Sequence, residues 1–246
     1  MNLPSPSIID GIDSRVDVPV EKDEAVERTL EQYKKILPAA KSIDHCDNLF
    51  SYYLSSDIQP LAPVQIDVAL QRLIQTPDNY EIRTYDRILG LYVSALIQKS
   101  YDVGHNGFVL HTQDTPLHYL CGFVEGQEGR LLDIIVYGDT GKDTGSNSKW
   151  CSMKHEGNAG HYYFYKAKHA GVFISGMIER FPISGSKDVL FRTTNPETFS
   201  HVQNCVMQPK YEADGHKLFL VDASGKALDA WNYSAGMILH YPQMRR

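Results

Sequence analysis

The spacing of hydrophobic residues divides the chain into two parts. In the first hundred residues, apolar side chains recur every three or four positions, as they do on the buried face of an α-helix. This period predicts four helices, at about 23–38, 45–55, 64–75 and 85–100. Pro38 ends the first helix, and Ser42 or Asp44 is the predicted N-cap of the second.

From Gly107 onward the chain consists of short runs rich in aromatic and β-branched residues, separated by Gly, Asn, Asp and Ser. Such runs predict β-strands. They read GFVLH, LHYLCGFV, RLLDIIVYG, HYYFYKA, GVFIS, DVLFRTT, HVQNCVM, HKLFLVD and KALDAWN. Helices followed by strands predict an α+β fold, in which the N-terminal helices pack on one side of a mainly antiparallel sheet. No internal repeat is apparent.

Two segments lack a hydrophobic period. Residues 1–22 are rich in Pro, Ser, Asp and Val, which predicts a flexible leader before a single α+β domain at 23–246. The run GDTGKDTGSNSK at 138–149 is too long for a tight hairpin, so it is predicted to be a functional or mobile loop. It lacks the GxxxxGK[ST] spacing of a phosphate-binding P-loop.

Composition narrows the functional classes. Hydrophobic residues make up 42% and charged residues 22% of the chain, as in ordinary soluble proteins. The net charge of −6 and the lack of a basic stripe argue against nucleic acid as a partner. No apolar run is long enough for a membrane span, and the N-terminus lacks the pattern of a signal peptide. The 4 scattered cysteines predict reduced thiols and a protein of the cytoplasm, either the cell's own or that of a host into which the protein is delivered.

Cys46 is the first candidate for chemistry, because it falls in the first turn of the second predicted helix. It also belongs to the apolar face of that helix, and a small core residue is the simpler interpretation. However, unpaired backbone N–H groups and the helix dipole lower the pKa of a first-turn cysteine and could stabilise an oxyanion beside the sulfur. The position therefore allows a nucleophile, which needs a histidine as its base.

The hairpin predicted from HKLFLVD and KALDAWN supplies such a histidine. With the three-residue loop ASG, Asp222 faces Lys226 and His216 faces Asn232. A two-residue loop would instead bring His216 to the same face as Asp229, four residues out of line. Either side chain could hold the imidazole in one tautomer, so both remain candidates.

These residues resemble those of the papain-like and transglutaminase-like cysteine hydrolases, in particular bacterial effector proteases and deamidases. The resemblance rests on a cysteine that opens a short helix, a histidine that starts a strand, and Asp229-Ala-Trp231 on the next strand. It implies a papain-like fold and a thiol-dependent hydrolase that acts on amide bonds of a protein or peptide, without a cofactor or metal. Cys46 would be the nucleophile and His216 the base, with Asp229 or Asn232 orienting the ring.

Other cysteines and histidines form competing groups. Zinc could bind Cys151, His155, His161 and His169, although their spacing matches no short zinc motif. A second group comprises His111, Asp114, His118 and Cys121. Cys151 with His169 is a further catalytic pair, but no helix precedes Cys151 to lower its pKa. The alternative to an enzyme is a non-catalytic, β-rich binding module for a protein or small ligand.

Overall fold

A computed structural model describes residues 23–75, 82–113, 115–208, 214–234 and 237–240. The predicted leader, residues 1–22, lies outside these ranges. The helices are α1 (Glu24–Ala40), α2 (Cys46–Ser55), α3 (Pro63–Gln75), α4 (Ile82–Asp102) and α5 (Pro196–Val206). The strands are β1 (Gly107–His111), β2 (Leu132–Tyr137), β3 (Cys151–Glu156), β4 (Lys168–Ile174), β5 (Lys187–Thr193), β6 (His216–Val221), β7 (Ala227–Ser234) and β8 (Met237–His240).

The first four helices lie where the hydrophobic period predicts them. Asp23 caps α1, because its carboxylate accepts hydrogen bonds from two backbone N–H groups of the first turn. Pro38 lies inside the last turn of α1 and does not end it. The N-cap of α2 is His45, whose side chain makes no capping hydrogen bond, so neither Ser42 nor Asp44 has the predicted role.

Helix α4 lies among the N-terminal helices, of which α3 also contacts strand β1 directly. Helix α4 is buried on every side between Ile88 and Ile97, and α1, α2 and α3 all contact it. Its far side meets the first segment after β1 so closely that a Cβ on Gly90 would lie 2.0 Å from the carbonyl oxygen of His118. Ser94 Oγ also donates a hydrogen bond to the carbonyl of Tyr119. The helices therefore cover one end of the strand-containing part.

The strands form one eight-stranded sheet in the order β1-β2-β3-β4-β5-β6-β7-β8. Strands β1 to β6 pair in parallel, and only β6–β7 and β7–β8 are antiparallel. The structure thus has the helices and sheet of the predicted α+β class, but the prediction of a mainly antiparallel sheet is wrong. Short strands with turn residues between them occur in both arrangements, and the pairing direction depends on connections that the pattern does not specify.

From β2 to β5 the parallel pairing repeats at a fixed interval. Ser152 pairs with Gly171 and Gly171 with Leu190, so these strands are 19 residues apart. The steps at the two ends are longer, because Gly107 pairs with Asp133 and Leu190 with Lys217. The 19-residue interval also relates Thr140 and Ala159, which are bridged outside the strands. Residues 133–151, 152–170 and 171–189 are therefore the second, third and fourth coils of a parallel β-solenoid. The expectation of no internal repeat is wrong, because the backbone repeats while most side chains differ.

Each coil has a second wall, which is not a regular strand. In the second to fourth coils it runs through residues 142–147, 161–166 and 180–185. Every other residue in it has a positive φ, as at Tyr162 and Phe164. Backbone hydrogen bonds still join the walls, for example from Tyr162 N–H to the carbonyl of Arg180 at 2.9 Å. Left-handed backbone at such residues costs about 1–2 kcal/mol each, so stacking of the coils must impose it.

Four predicted elements are corrected by this wall and by α5. HYYFYKA lies in the second wall of the third coil, and LHYLCGFV in the turns of the first. The segment 138–149, predicted as a loop, is the corresponding part of the second coil and buries Thr144, Ser146 and Ser148. HVQNCVM, predicted as a strand, forms most of α5, which Asn195 caps with its side chain. Among the described helices, none is both long and apolar enough to cross a membrane.

Candidate functional site

Cys46 is the first residue of α2 and is partly exposed. It interacts with Tyr119, whose hydroxyl also interacts with Asp143. Burial raises the pKa of Tyr119, and the bonds to Cys46 and Asp143 raise it further, so the hydroxyl remains protonated. Burial also raises the pKa of Asp143. The thiol thus lies beside a tyrosine that is shared with a carboxylate, and the helix N-terminus is the only part of the predicted catalytic environment that is present.

His216 lies in β6 and is fully buried. Its Nδ1 accepts a hydrogen bond from the Val189 N–H at 3.2 Å, and its Nε2 is 3.5 Å from Ser186 Oγ. Because Nδ1 is an acceptor, the neutral ring carries its hydrogen on Nε2. Burial lowers the pKa of His216 to about 4, although Asp188 and Asp214 oppose the shift. The ring is therefore neutral at pH 7, and both nitrogens contact the solenoid itself.

The structure does not bring His216 to Cys46. Cys46 contacts Tyr119 in the first coil, whereas His216 is bonded to Val189 at the end of the fourth. Three coil-to-coil spacings separate the two residues along the solenoid axis. Because neighbouring strands are about 4.8 Å apart, this axial separation is roughly 14 Å. A general base must lie within about 3 Å of the proton it removes.

The register of the β6–β7 hairpin also differs from the prediction. Asp222 and Lys226 face each other as predicted, with the Asp222 N–H donating to the Lys226 carbonyl at 2.9 Å. A β-bulge one residue further along then shifts the pairing. His216 therefore pairs with Tyr233, and the predicted pairing with Asn232 is wrong. Successive residues of a strand point to opposite faces, so the shift places Asn232 on the other side of the sheet.

Asp229 does contact a histidine, but that residue is His240. The His240 Nε2 lies 2.8 Å from Asp229 Oδ1, and Trp231 Nε1 donates to the other oxygen at 3.3 Å. The rings of Trp231 and His240 stack with centroids 4.3 Å apart. The Asp-Ala-Trp sequence thus belongs to a group that attaches β8 to β7, and it is not part of a site around His216.

The proposed zinc ligands are separated by the solenoid wall. Cys151 and His155 are buried inside, and burial raises the pKa of Cys151 to about 12. His161 and His169 lie outside, where His161 Nε2 is 2.7 Å from Glu179 and His169 Nδ1 is 3.3 Å from Asp188. Within the described ranges, no three histidine, cysteine, aspartate or glutamate side chains converge on a possible metal ion.

The remaining candidates are also dispersed. His111 Nδ1 pairs with Asp67 at 2.8 Å, and His118 Nδ1 accepts a hydrogen bond from the backbone N–H of Lys142. Cys121 is fully buried in the core. Asp114 lies outside the described residues.

One surface of the solenoid concentrates positive charge. We call it the basic face; it comprises residues 142–150, 161–169 and 180–188, which are the second wall and the next corner of three coils. Its charged side chains are Lys142, Asp143, Lys149, Lys166, Lys168, Arg180, Lys187 and Asp188. Six cations and two carboxylates give it a formal charge of +4 in a chain of −6, so the rest of the chain carries −10.

Three lysines of the basic face are stacked in register. Lys149 is bridged to Lys168, and Lys168 pairs with Lys187, so neighbouring backbones are about 4.8 Å apart. Like charges in directly opposed positions are destabilising, by about 0.9 kcal/mol per pair at the dielectric constant of water. Lys149 has a partner, Glu125, at 2.9 Å. Among the described residues, neither Lys168 nor Lys187 forms an ion pair.

Aromatic rings lie between these cations and stack along the solenoid axis. Tyr162 stacks on Phe181 with ring centroids 5.3 Å apart, and Trp150 stacks on His169 at 4.2 Å. Because the ring faces already contact one another, these rings mainly stabilise the coils. Lys168 and Lys187, which form no ion pair among the described residues, are therefore the groups of the stack that remain available to a ligand.

The sequence contains a pattern that predicts this face, but the spacing of hydrophobic residues does not reveal it. Written in register, residues 138–150, 157–169 and 176–188 read GDTGKDTGSNSKW, GNAGHYYFYKAKH and GMIERFPISGSKD. Each begins with glycine and has lysine at the twelfth position. Read singly, the three lysines occur in unrelated local contexts, so only the 19-residue alignment brings them together.

In comparisons with known proteins, the chain matches no family model, no curated protein and no solved structure.

Proposed function

We propose that the chain is a non-catalytic binding module whose basic face holds an acidic segment of a partner protein. The observation that carries the proposal is the stack of Lys149, Lys168 and Lys187. Two of these lysines have no ion-pair partner among the described residues, although the rest of the chain is strongly acidic. Glu125 opposes Lys149 at one end of the row and Asp214 opposes Lys187 at the other, but Lys168 lies between two lysines. An arrangement of like charges that costs stability is typical of a functional surface.

The chemistry of the face favours an extended anionic partner. From Lys149 to Lys187 the stack covers two coil spacings, roughly 10 Å, which corresponds to about three residues of an extended chain. Aspartate or glutamate side chains laid along it would relieve the repulsion between the lysines. The local charge of +4 would also speed encounter with an acidic surface, an effect that salt weakens.

The hydrolase hypothesis has less support from the geometry. It requires a base beside Cys46, and the histidine chosen for that role is buried and roughly three coil spacings away. It also requires an orienting residue beside His216, whereas Asp229 is engaged by His240. A binding role requires neither arrangement.

The test uses fluorescence anisotropy with a labelled oligoglutamate peptide and the full chain at low salt. The variant Lys168→Gln with Lys187→Gln removes two stacked cations. Exposed pairs contribute up to about 1 kcal/mol each, so the double variant should bind about tenfold more weakly. The control is Lys34→Gln with Lys35→Gln, which removes two exposed cations of α1 and leaves the basic face intact. It should bind within twofold of the unmodified protein.

Two results would contradict the proposal. Equal weakening in both double variants would indicate a general charge effect, and tighter binding of single-stranded DNA than of oligoglutamate would indicate a different class of partner. Thermal unfolding of each variant confirms that the fold is retained.

A further inference from the structure

A separate cleft of about 470 Å³ opens at the other corner of the solenoid. It lies where the chain leaves β2, β3 and β4, and the beginning of α5 forms one side of it. Ala159, Met177 and Ile178 supply an apolar lining from two successive coils. The volume lies within the range of about 300–1,000 Å³ that is usual for small-molecule sites.

The polar side chains around this cleft include several hydrogen-bond acceptors. One carboxylate oxygen of Asp139 accepts a hydrogen bond from the Asn158 N–H, and its other oxygen can accept one from a ligand. Glu179 and Glu197 add two further carboxylates, and one oxygen of Glu179 lies 2.7 Å from His161 Nε2. His201 Nδ1 lies 3.2 Å from the carbonyl of Ile178. Since a carbonyl only accepts, Nδ1 carries the hydrogen and Nε2 of the neutral ring is a further acceptor.

Backbone N–H groups of the cleft are already used by the solenoid. The Ala159 N–H donates to the Met177 carbonyl at 2.8 Å, and the Glu179 N–H donates to the Ala159 carbonyl at 3.0 Å. No lysine or arginine lines the cleft in the part of the chain that the structure describes. The side-chain donors of the lining are neutral: the Asn158 amide and the Thr140 hydroxyl, which has no hydrogen-bond partner among the described residues. An occupant that pairs with the carboxylates must therefore bring its own positive charge.

The acceptors of the cleft lie on different elements, and this arrangement favours an extended cation over a compact metal ion. The carboxylates come from different coils and from α5, and within the described ranges no three of them converge closely enough to hold a metal ion. A cation with its charges spread along an apolar chain fits both the separated carboxylates and the apolar lining. We propose that this cleft binds an aliphatic polyamine, an activity that goes beyond the proposed function of the basic face.

The experiment is a calorimetric titration of the full chain with spermidine at low salt. Asp139→Asn keeps the oxygen that accepts from Asn158, and Glu197→Gln keeps the size of the side chain. Together they should raise the dissociation constant for spermidine about tenfold, since each removes one charge-assisted hydrogen bond. The control, Glu31→Gln with Glu128→Gln, makes the same change in net charge at exposed positions away from the cleft and should change it less than twofold.

Three outcomes would overturn the inference. The first is an absence of saturable spermidine binding by the unmodified protein at millimolar concentrations. The second is an equal loss in the two double variants, which would mean that spermidine responds only to net charge. The third is displacement of spermidine by an equal concentration of Mg²⁺, which would indicate a metal site. Because Lys168 and Lys187 lie outside the cleft, failure here leaves the proposal for the basic face unaffected.

Discussion

The close stacking of coils predicts that Gly157→Ala destabilises the protein. A Cβ at residue 157 would lie 2.2 Å from the carbonyl oxygen of Gly138 and 2.5 Å from its carbonyl carbon. Real contacts of this kind need about 1 Å more, and both atoms belong to backbone that cannot rotate away. Gly157 does not have a positive φ, so the effect is steric and does not arise from backbone strain.

The expected cost follows from the separation that the methyl group forces on the second and third coils. Overpacking of this size costs about 1–3 kcal/mol. The neighbouring bonds from Gly138 N–H to the Glu156 carbonyl and from Asn158 N–H to Asp139 also weaken, and each contributes about 1 kcal/mol. We expect a loss of about 2–4 kcal/mol in the free energy of unfolding.

Gly107→Ala is the matched control. A Cβ at residue 107 would meet nothing within 4 Å, and its φ is not positive. Alanine at this position only lowers the conformational entropy of the unfolded chain. We therefore expect the free energy of unfolding to be unchanged or raised by about 0.4–1 kcal/mol.

Urea unfolding followed by circular dichroism measures both variants. With a slope of about 2.5 kcal/mol per molar urea, the loss expected for Gly157→Ala lowers the midpoint by about 1 M or more. If Gly157→Ala unfolds within 0.2 M of the unmodified protein, the 19-residue stacking register is incorrect.

Two further predictions concern the thiols and the buried histidine. Iodoacetamide should modify the folded protein once, at the partly exposed Cys46, because the other three cysteines are buried. Mass spectrometry should therefore find no label in Cys46→Ala. Fast labelling of Cys121 would contradict the structure. If Cys46 is labelled near pH 6 much faster than free cysteine, the nucleophile hypothesis would be revived. The pKa of His216 is about 4 in the folded protein against an ordinary 6.5, so the unfolded chain binds more protons between these values. Stability should be complete above pH 6.5 and fall by roughly 3 kcal/mol toward pH 4, and an unchanged pH dependence in folded His216→Gln would refute this.

Local periodicity was sufficient for the first four helices, but not for α5, which was predicted as a strand. The apolar stripe of α4 depends on residues within a few positions of one another, so it could be predicted. The position of Cys46 at the start of α2 is equally local. The strands β1, β2, β4, β5, β6 and β7 were also found, because their β-branched and aromatic residues form continuous runs.

The pairing of the strands could not be predicted in this way. HYYFYKA has the composition of a strand, yet stacking of the coils places Tyr162, Phe164 and Lys166 in left-handed backbone. That conformation is unfavourable for each residue alone and is maintained by hydrogen bonds from the adjacent coils. The bulge that moves His216 away from Asn232 likewise depends on the hairpin as a whole.

The sequence by itself therefore determined the first four helices and which segments are apolar enough to enter a core. Only the tertiary structure decided that the strands run parallel at intervals of 19 residues, that Lys149, Lys168 and Lys187 lie in one row, and that Cys46 and His216 lie several coils apart. The physical reason is the range of the interactions. Helix periodicity and capping act over three or four residues, whereas coil stacking joins residues that are distant in the chain, and its energy depends on the fit of whole coils.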